Sequence, residues 1–291
     1  MTIKQGSRGE EVKQIQTYLG LAVDGNFGPK THGKVCEWQH NNGLTVDGVV
    51  GPLTWNAMGL ATTDNSELTY ETENGLIIHK HFLPDNEYMT GSKPEYVFLH
   101  HTAGWNNPYR TIEHWAGDDR GKVATEFVLG GQSIKGNDNQ YDGELLQAMP
   151  QGGWGWHLGT GRSHMHKNSV GIEVNNFGWV KDGKTYAGTT AAASQLVTLA
   201  KPFRGYKTWH RYSDKQIKVL KDWILWIGER DSIDVRAGLP ALIKEKGADA
   251  FEYNEDVKNG KVKGLWTHTN VRTTKVDMFP QPELMDMLVS L

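Results

Sequence analysis

Apolar positions along this chain recur with two different periods. In the first 59 residues Val12, Ile15 and Leu19 make one stripe at helical spacing, and Val35 and Trp38 make another. With the Gly-Pro steps at 28–29 and 51–52 opening helical turns, this predicts three short helices. From residue 76 the pattern changes. Runs rich in β-branched and apolar residues predict strands over 76–80, 96–100, 125–130, 144–149 and 169–175. Helical spacing predicts helices over 109–117, 189–200, 214–230, 239–246 and 282–290. Ser213-Asp214-Lys215-Gln216 reads as a capping box, and Ile217, Leu220, Ile224 and Ile227 share one face behind it. The expected architecture is an α/β domain with a mixed sheet and flanking helices over 76–291, preceded by a small three-helix domain over 1–59. Residues 60–75 carry four acids and no base, the composition of a solvated linker.

The three-helix segment contains a near-duplicate. Val23-Asp24-Gly25-Asn26-Phe27-Gly28-Pro29 recurs 23 residues later as Val46-Asp47-Gly48-Val49-Val50-Gly51-Pro52. Each copy is a turn built on Asp-Gly, where glycine supplies a positive φ. Composition then narrows the function classes. Across 291 residues, 31 basic and 34 acidic side chains give a net charge of −3, without the basic footprint of a nucleic-acid binder. One cysteine, Cys36, excludes an intrachain disulfide framework and is expected as a small buried hydrophobe. No run approaches the roughly 20 apolar residues that span a bilayer, so no membrane insertion is expected. Met1-Thr2-Ile3-Lys4-Gln5-Gly6 lacks the apolar core of a secretory signal.

Candidate chemistry is scattered through the larger domain. His100 and His101 close the apolar run Tyr96-Val97-Phe98-Leu99, and far downstream come His268 and Lys275-Val276-Asp277. Two histidines and a carboxylate form a three-ligand zinc shell with a position left for water. By strand alternation only one of His100 and His101 can reach such a metal. Glu173, in Ser169-Val170-Gly171-Ile172-Glu173-Val174, is an acid among apolar neighbours: it requires an ion-pair partner, or it is a general base with a raised pKa. Glu126 competes for that role. Trp154-Gly155-Trp156-His157 is an aromatic, glycine-flexed loop, and His164-Met165-His166 reads as surface loop histidines.

These motifs carry two resemblances. Residues 3–59, with Gly6-Ser7-Arg8-Gly9, the Val12–Leu19 stripe and the doubled Val-Asp-Gly element ending in Thr54-Trp55, resemble the peptidoglycan-binding module found beside cell-wall hydrolases. Val97 to Ala103, Gly171-Ile172-Glu173 and His268 with Lys275-Val276-Asp277 resemble the zinc amidases that cut N-acetylmuramoyl-L-alanine bonds, which share a fold with peptidoglycan recognition proteins. The resemblance implies Zn2+ held by His100, His268 and Asp277, with His101 the runner-up to His100. It implies Glu173 as proton carrier, Lys275 beside the developing oxyanion, and His157 and Trp156 in the substrate groove. Trp105 and Asn168 complete the expected substrate-contacting set. Relatives carry a tyrosine where this chain has Thr125, and Pro-Gly where it has Met278-Phe279-Pro280. The expectation is a monomeric bacteriophage endolysin acting on peptidoglycan, made in the host cytoplasm and released by a separate pore. A non-catalytic peptidoglycan sensor and a zinc peptidase acting on the stem peptide are the alternatives.

Overall fold

The computed structural model describes residues 3–42, 44, 46–60, 69–159, 161 and 163–291. The chain forms two compact units, Met1–Glu67 and Leu68–Leu291.

In the first unit, α1 (Glu10–Tyr18), α2 (Pro29–Asn41) and α3 (Pro52–Ala57) enclose a core of Val12, Ile15, Phe27, Val35, Val50 and Trp55. The sequence repeat is also a repeat of hydrogen bonds. Gln16 Nε2 donates to Asp24 Oδ1 (2.7 Å) and to the Asn26 carbonyl (3.0 Å), while Gln16 Oε1 accepts from Gly25 N–H (2.9 Å). Twenty-three positions on, Gln39 Nε2 donates to Asp47 Oδ1 (2.9 Å) and the Val49 carbonyl (2.8 Å), and Oε1 accepts from Gly48 N–H (2.9 Å). Each buried glutamine thus satisfies a turn that needs a glycine at φ near +70° (Gly25 +70°, Gly48 +68°). Cys36 is half-buried, with its sulfur 3.8 Å from His32 Nδ1, and not the enclosed hydrophobe expected.

The second unit is built on a seven-stranded mixed sheet, ordered β1-β2-β5-β4-β6-β3-β11. Its strands are β1 (Thr69–Glu71), β2 (Ile77–Lys80), β3 (Tyr96–His101), β4 (Phe127–Leu129), β5 (Leu145–Gln147), β6 (Ser169–Val174) and β11 (Gly264–Thr267). Strand β1 falls inside the stretch expected as linker: it pairs antiparallel with β2 at the sheet edge. Residues 61–68 lie outside the described residues. Strands β6, β3 and β11 run parallel at the other end. The flanking helices are α4 (Pro108–Ala116), α5 (Ser163–Lys167), α6 (Asp214–Asp231), α7 (Leu239–Lys246), α8 (Glu255–Lys258), α9 (His268–Val271) and α10 (Pro282–Val289). Helix α6 has the expected capping box: Gln216 N–H donates to Ser213 Oγ (2.9 Å) and Ser213 N–H to Gln216 Oε1 (3.1 Å). Its Trp223, Ile224 and Ile227 are fully buried in one core with Phe98, Phe127 and Leu265.

The helix expected over 189–200 does not form. Residues 179–210 fold instead as a second, four-stranded antiparallel sheet, β8-β7-β10-β9, made of β7 (Trp179–Lys181), β8 (Lys184–Thr185), β9 (Leu196–Phe203) and β10 (Tyr206–His210). Two hairpin turns set it. Asp182-Gly183 (φ 51° and 74°) and Arg204-Gly205 (φ 51° and 85°) place two successive residues at positive φ, which matches the twist of paired strands. Pro202 sits on β9, an edge strand, where its missing N–H costs no ladder bond. The run Ala191-Ala192-Ala193 favours helix by propensity, but the β-branched residues and hairpin turns around it prevail. Residues 231–263 pack onto the larger unit and include the predicted helix at Leu239–Lys246. They place Leu239, Ile243, Ala250, Phe251 and Val257 in the core, and none of them lines the cavity described next.

Candidate active site

Three adjacent parallel strands end at one place. His100 near the end of β3 is in register with Glu173 on β6, and Thr267 of β11 is in register with Leu99, which brings His268 beside His100. Side chains at the carboxyl ends of parallel strands meet outside the sheet, where a rigid backbone ladder fixes their spacing. Asp277 arrives from the following loop, whose backbone is tied back by Thr269 N–H donating to the Asp277 carbonyl (3.2 Å).

His100 Nδ1 and His268 Nδ1 stand 3.0 Å apart, and Asp277 Oδ2 is 3.0 Å from His268 Nδ1 and 3.4 Å from His100 Nδ1. The outer ring nitrogens are already committed. His268 Nε2 faces the Leu158 carbonyl (3.1 Å), which can only accept, so its proton sits on Nε2 and Nδ1 is bare. His100 Nε2 is 3.0 Å from His157 Nδ1, and His157 Nε2 is 2.9 Å from Ser169 Oγ. If each proton points outward along this chain, His100 Nδ1 is bare as well. Two lone pairs and a carboxylate oxygen at this separation repel unless a cation lies among them. Tetrahedral zinc ligands at about 2.0–2.1 Å from the ion stand roughly 3.3 Å apart, so the N, N, O set fits such an ion. Among the described residues this trio is the group of His, Cys, Asp and Glu side chains disposed to hold a metal.

Electrostatics prepare the same ligands. Burial pushes the His100 imidazole down to about 4, against an opposing pull from Asp277. Burial alone would raise the Asp277 carboxyl, but the neighbouring imidazoles override it and hold it well below the usual carboxylate range. Near neutral pH this gives a neutral imidazole beside a carboxylate, the protonation state metal binding requires. Burial pushes the Glu173 carboxyl well above its ordinary value; the Asp277 charge adds to this and Lys275 opposes it. No hydrogen bond or ion pair reaches Glu173 among the described residues, so the salt bridge considered for it is absent.

These groups line a cavity of about 430 Å³ together with Trp105, Trp156, His157 and Lys275. Lys275, Trp105 and Trp156 are exposed at its margin. His157 touches the cavity, yet both its ring nitrogens are spent on His100 and Ser169, so it orients His100 and has no polar atom left for a substrate. Asn168 is not brought to the cavity. It lies at the opposite end of β6 from Glu173, and its carbonyl accepts from Glu95 N–H (2.7 Å). His101 points to the other face, 2.7 Å from the Tyr212 hydroxyl. Glu126 is no competitor for Glu173: Arg230 grips it in a buried two-pronged ion pair (2.7 and 3.1 Å). Thr125 lines the cavity, but its hydroxyl donates to the Phe127 carbonyl (2.8 Å). His166 is buried, not a surface loop residue; its Nδ1 accepts from the N–H groups of His157 and Leu158 (3.0 and 3.2 Å).

Two supports were not foreseen from the sequence. Arg204, in the β9–β10 turn, donates to the carbonyls of Thr273 (2.8 Å) and Thr269 (3.2 Å) and clasps the segment between His268 and Asp277. Beyond Asp277, Phe279 is fully buried between Trp209 and Tyr212 (ring centroids 4.5 and 4.7 Å). Gln281 brackets the Tyr212 backbone, accepting from its N–H (2.7 Å) and donating to its carbonyl (3.1 Å). Met278-Phe279-Pro280 is therefore an anchored turn. Gly205, at the turn that carries Arg204, is the sequence signal for this scaffold.

Comparison with known proteins agrees with the two-unit layout. Residues 8–58 match the peptidoglycan binding domain family. The chain is 43% identical over 63 residues to a zinc D-Ala-D-Ala carboxypeptidase of Streptomyces albus G, covering 19% of this chain and 25% of that protein. It is 45% identical over 60 residues to an uncharacterized protein of Kitasatospora aureofaciens, covering 18% of this chain and 51% of that one. The chain thus spans a quarter to a half of the length of these curated relatives. Among solved structures, the N-acetylmuramoyl-L-alanine amidase LysC from Clostridium intestinale superimposes with a TM-score of 0.39 at 11% identity, covering 73% of this chain and 95% of that one. Residues 90–250, more than half of the chain, match the N-acetylmuramoyl-L-alanine amidase family, and the chain belongs to that family.

Proposed function

We propose that this protein is a zinc-dependent peptidoglycan hydrolase that cleaves the amide between the lactyl group of N-acetylmuramic acid and L-alanine. The observation that carries it is the convergence of His100, His268 and Asp277 beside an unpaired Glu173, in a chain of the amidase family. His100, His268 and Asp277 hold the ion, oriented from behind by His157 and the Leu158 carbonyl. When bound, zinc supplies Lewis acidity that polarises a carbonyl and lowers the pKa of water towards ~7. Glu173 takes a proton from the attacking water and delivers it to the leaving amine nitrogen; its raised pKa suits both transfers. Lys275 sets a positive charge where the oxyanion develops. Residues 8–58 hold the enzyme on its polymer, which raises effective concentration without new contacts at the cleavage site. A phage endolysin, monomeric, made in a host cytoplasm and released through a separate pore, fits this pairing.

The test is a digest of purified peptidoglycan. New L-alanine amino termini without new reducing sugar ends are expected; free D-alanine or a cut within the cross-link would point to a stem-peptide peptidase. In parallel, Glu173→Gln should bind one equivalent of zinc yet lose turnover, and wild-type turnover in that variant would remove Glu173 from the mechanism.

A further inference from the structure

The turn that follows β8 brings Tyr186 and Ala187 to the cavity, and neither the metal-site trio nor the proton carrier accounts for the first. Tyr186 lines the cavity at its rim and is 64% exposed, the most exposed large hydrophobic side chain among the described residues. An exposed tyrosine alone is ordinary, but this one is held. Thr185 N–H donates to the Thr189 carbonyl (2.8 Å), the two threonine hydroxyls are 2.8 Å apart, and Gly188 N–H donates to the Thr185 carbonyl (2.9 Å). Tyr186 N–H donates to the Trp179 carbonyl (3.2 Å). The ring stands edge-to-face with Trp179 (5.8 Å, 88°), and Trp179 in turn lies flat on Tyr206 (4.3 Å, 7°). A ladder of three rings, two of them on the strands of the four-stranded sheet, thus holds an aromatic surface at the rim of the cavity that Glu173, His100, His268 and Asp277 also line.

We propose that Tyr186 is a stacking platform for a pyranose ring of the glycan strand that flanks the muramoyl residue bearing the scissile bond; this rests on the reading of the site given above. A pyranose has flat faces of C–H groups that suit an aromatic face, whereas the stem peptide carries carboxylates that call for cations. The two residues this turn gives to the cavity, Tyr186 and Ala187, carry no charge. Pre-set by its ladder, the ring loses little freedom on binding, so the contact converts efficiently into affinity.

The test compares wild type, Tyr186→Ala and Tyr186→Phe as full-length zinc-loaded chains. Two soluble substrates are used, a muramoyl-peptide bearing one sugar and a tetrasaccharide-peptide. Tyr186→Ala should raise KM on the tetrasaccharide-peptide about tenfold with kcat within about twofold, the scale of one aromatic contact. On the single-sugar substrate it should match wild type, and Tyr186→Phe should match wild type on both. Equal KM on the tetrasaccharide-peptide, or the same loss on both substrates, overturns the platform. Should wild type cleave neither substrate, the amidase reading fails separately and the platform is decided by binding. With 3-fluorotyrosine incorporated, the resonance missing from Tyr186→Phe should shift when peptide-free tetrasaccharide is added. A resonance that stays in place overturns the proposal.

Discussion

Phe279 lies flat on Trp209, with ring centroids 4.5 Å apart and planes 15° from parallel, two residues beyond Asp277 of the His100–His268–Asp277 trio. Trp209 belongs to the second sheet, so an element remote from the ligand strands in sequence fixes where Asp277 sits. Phe279→Ala should cost about 3–5 kcal/mol of stability, the usual loss for an emptied aromatic core site. It should also weaken zinc binding. Chelator competition well below the unfolding temperature separates the two effects, and undiminished affinity there would show that the stack does not govern Asp277.

His157 offers a sharper discrimination. As the acceptor behind His100 it should act on the metal, so His157→Ala should reduce zinc affinity about 10–100-fold. KM for the zinc-saturated variant should stay near wild type. A large rise in KM with metal affinity intact would return His157 to the substrate-contacting role the sequence suggested.

The glutamine pair can be tested on its own. Gln16→Leu or Gln39→Leu leaves a turn amide and a carboxylate without their buried partner, which should cost about 1–3 kcal/mol in each case. Native-state hydrogen exchange at the Gly25 and Gly48 amides reads each copy separately. Unchanged protection in both variants would mean that water replaces the side chain without loss.

Acid should loosen the metal-free protein earlier than carboxylate chemistry alone predicts. Burial pushes His81, His166 and His210 each down to about 4. A histidine whose folded pKa lies below its unfolded value binds fewer protons when folded, so unfolding takes up protons in between. Stability is therefore complete well above pH 6.5 and is lost as pH falls towards 4, about 2 kcal/mol per histidine by pH 5. Urea titrations in chelator at pH 7 and pH 5 measure this, and equal midpoints would contradict it.

Much of the fold was legible because period and polarity agreed. Helix α6 announced its capping box and its apolar face, and strands β3 and β6 stood out as apolar runs closed by a histidine and an acid. The site was legible as residue types but not as geometry. Nothing local to His157 says that its nitrogens face His100 and Ser169, because those contacts span 57 and 12 positions. The second sheet was missed for a different reason. An alanine run with high helix propensity masked a strand whose pairing is specified elsewhere, by Asp182-Gly183 and Arg204-Gly205. Asn168 was misjudged because closeness in sequence to Glu173 is distance along a strand, about 3.3 Å per residue, and not closeness in space.

Strand β3 is buried on both faces along its whole length. Such a strand has no alternation of apolar and polar residues to hold it in register, and a slip of one position would exchange its faces. Here the slip would set His101 where His100 stands, so an imidazole would still stand beside His268 and Asp277 and the residue types at the site would not betray the error. What a slipped strand could not keep is the bond between His101 and the Tyr212 hydroxyl. The proofreading of His100's place therefore falls to the histidine on the opposite face.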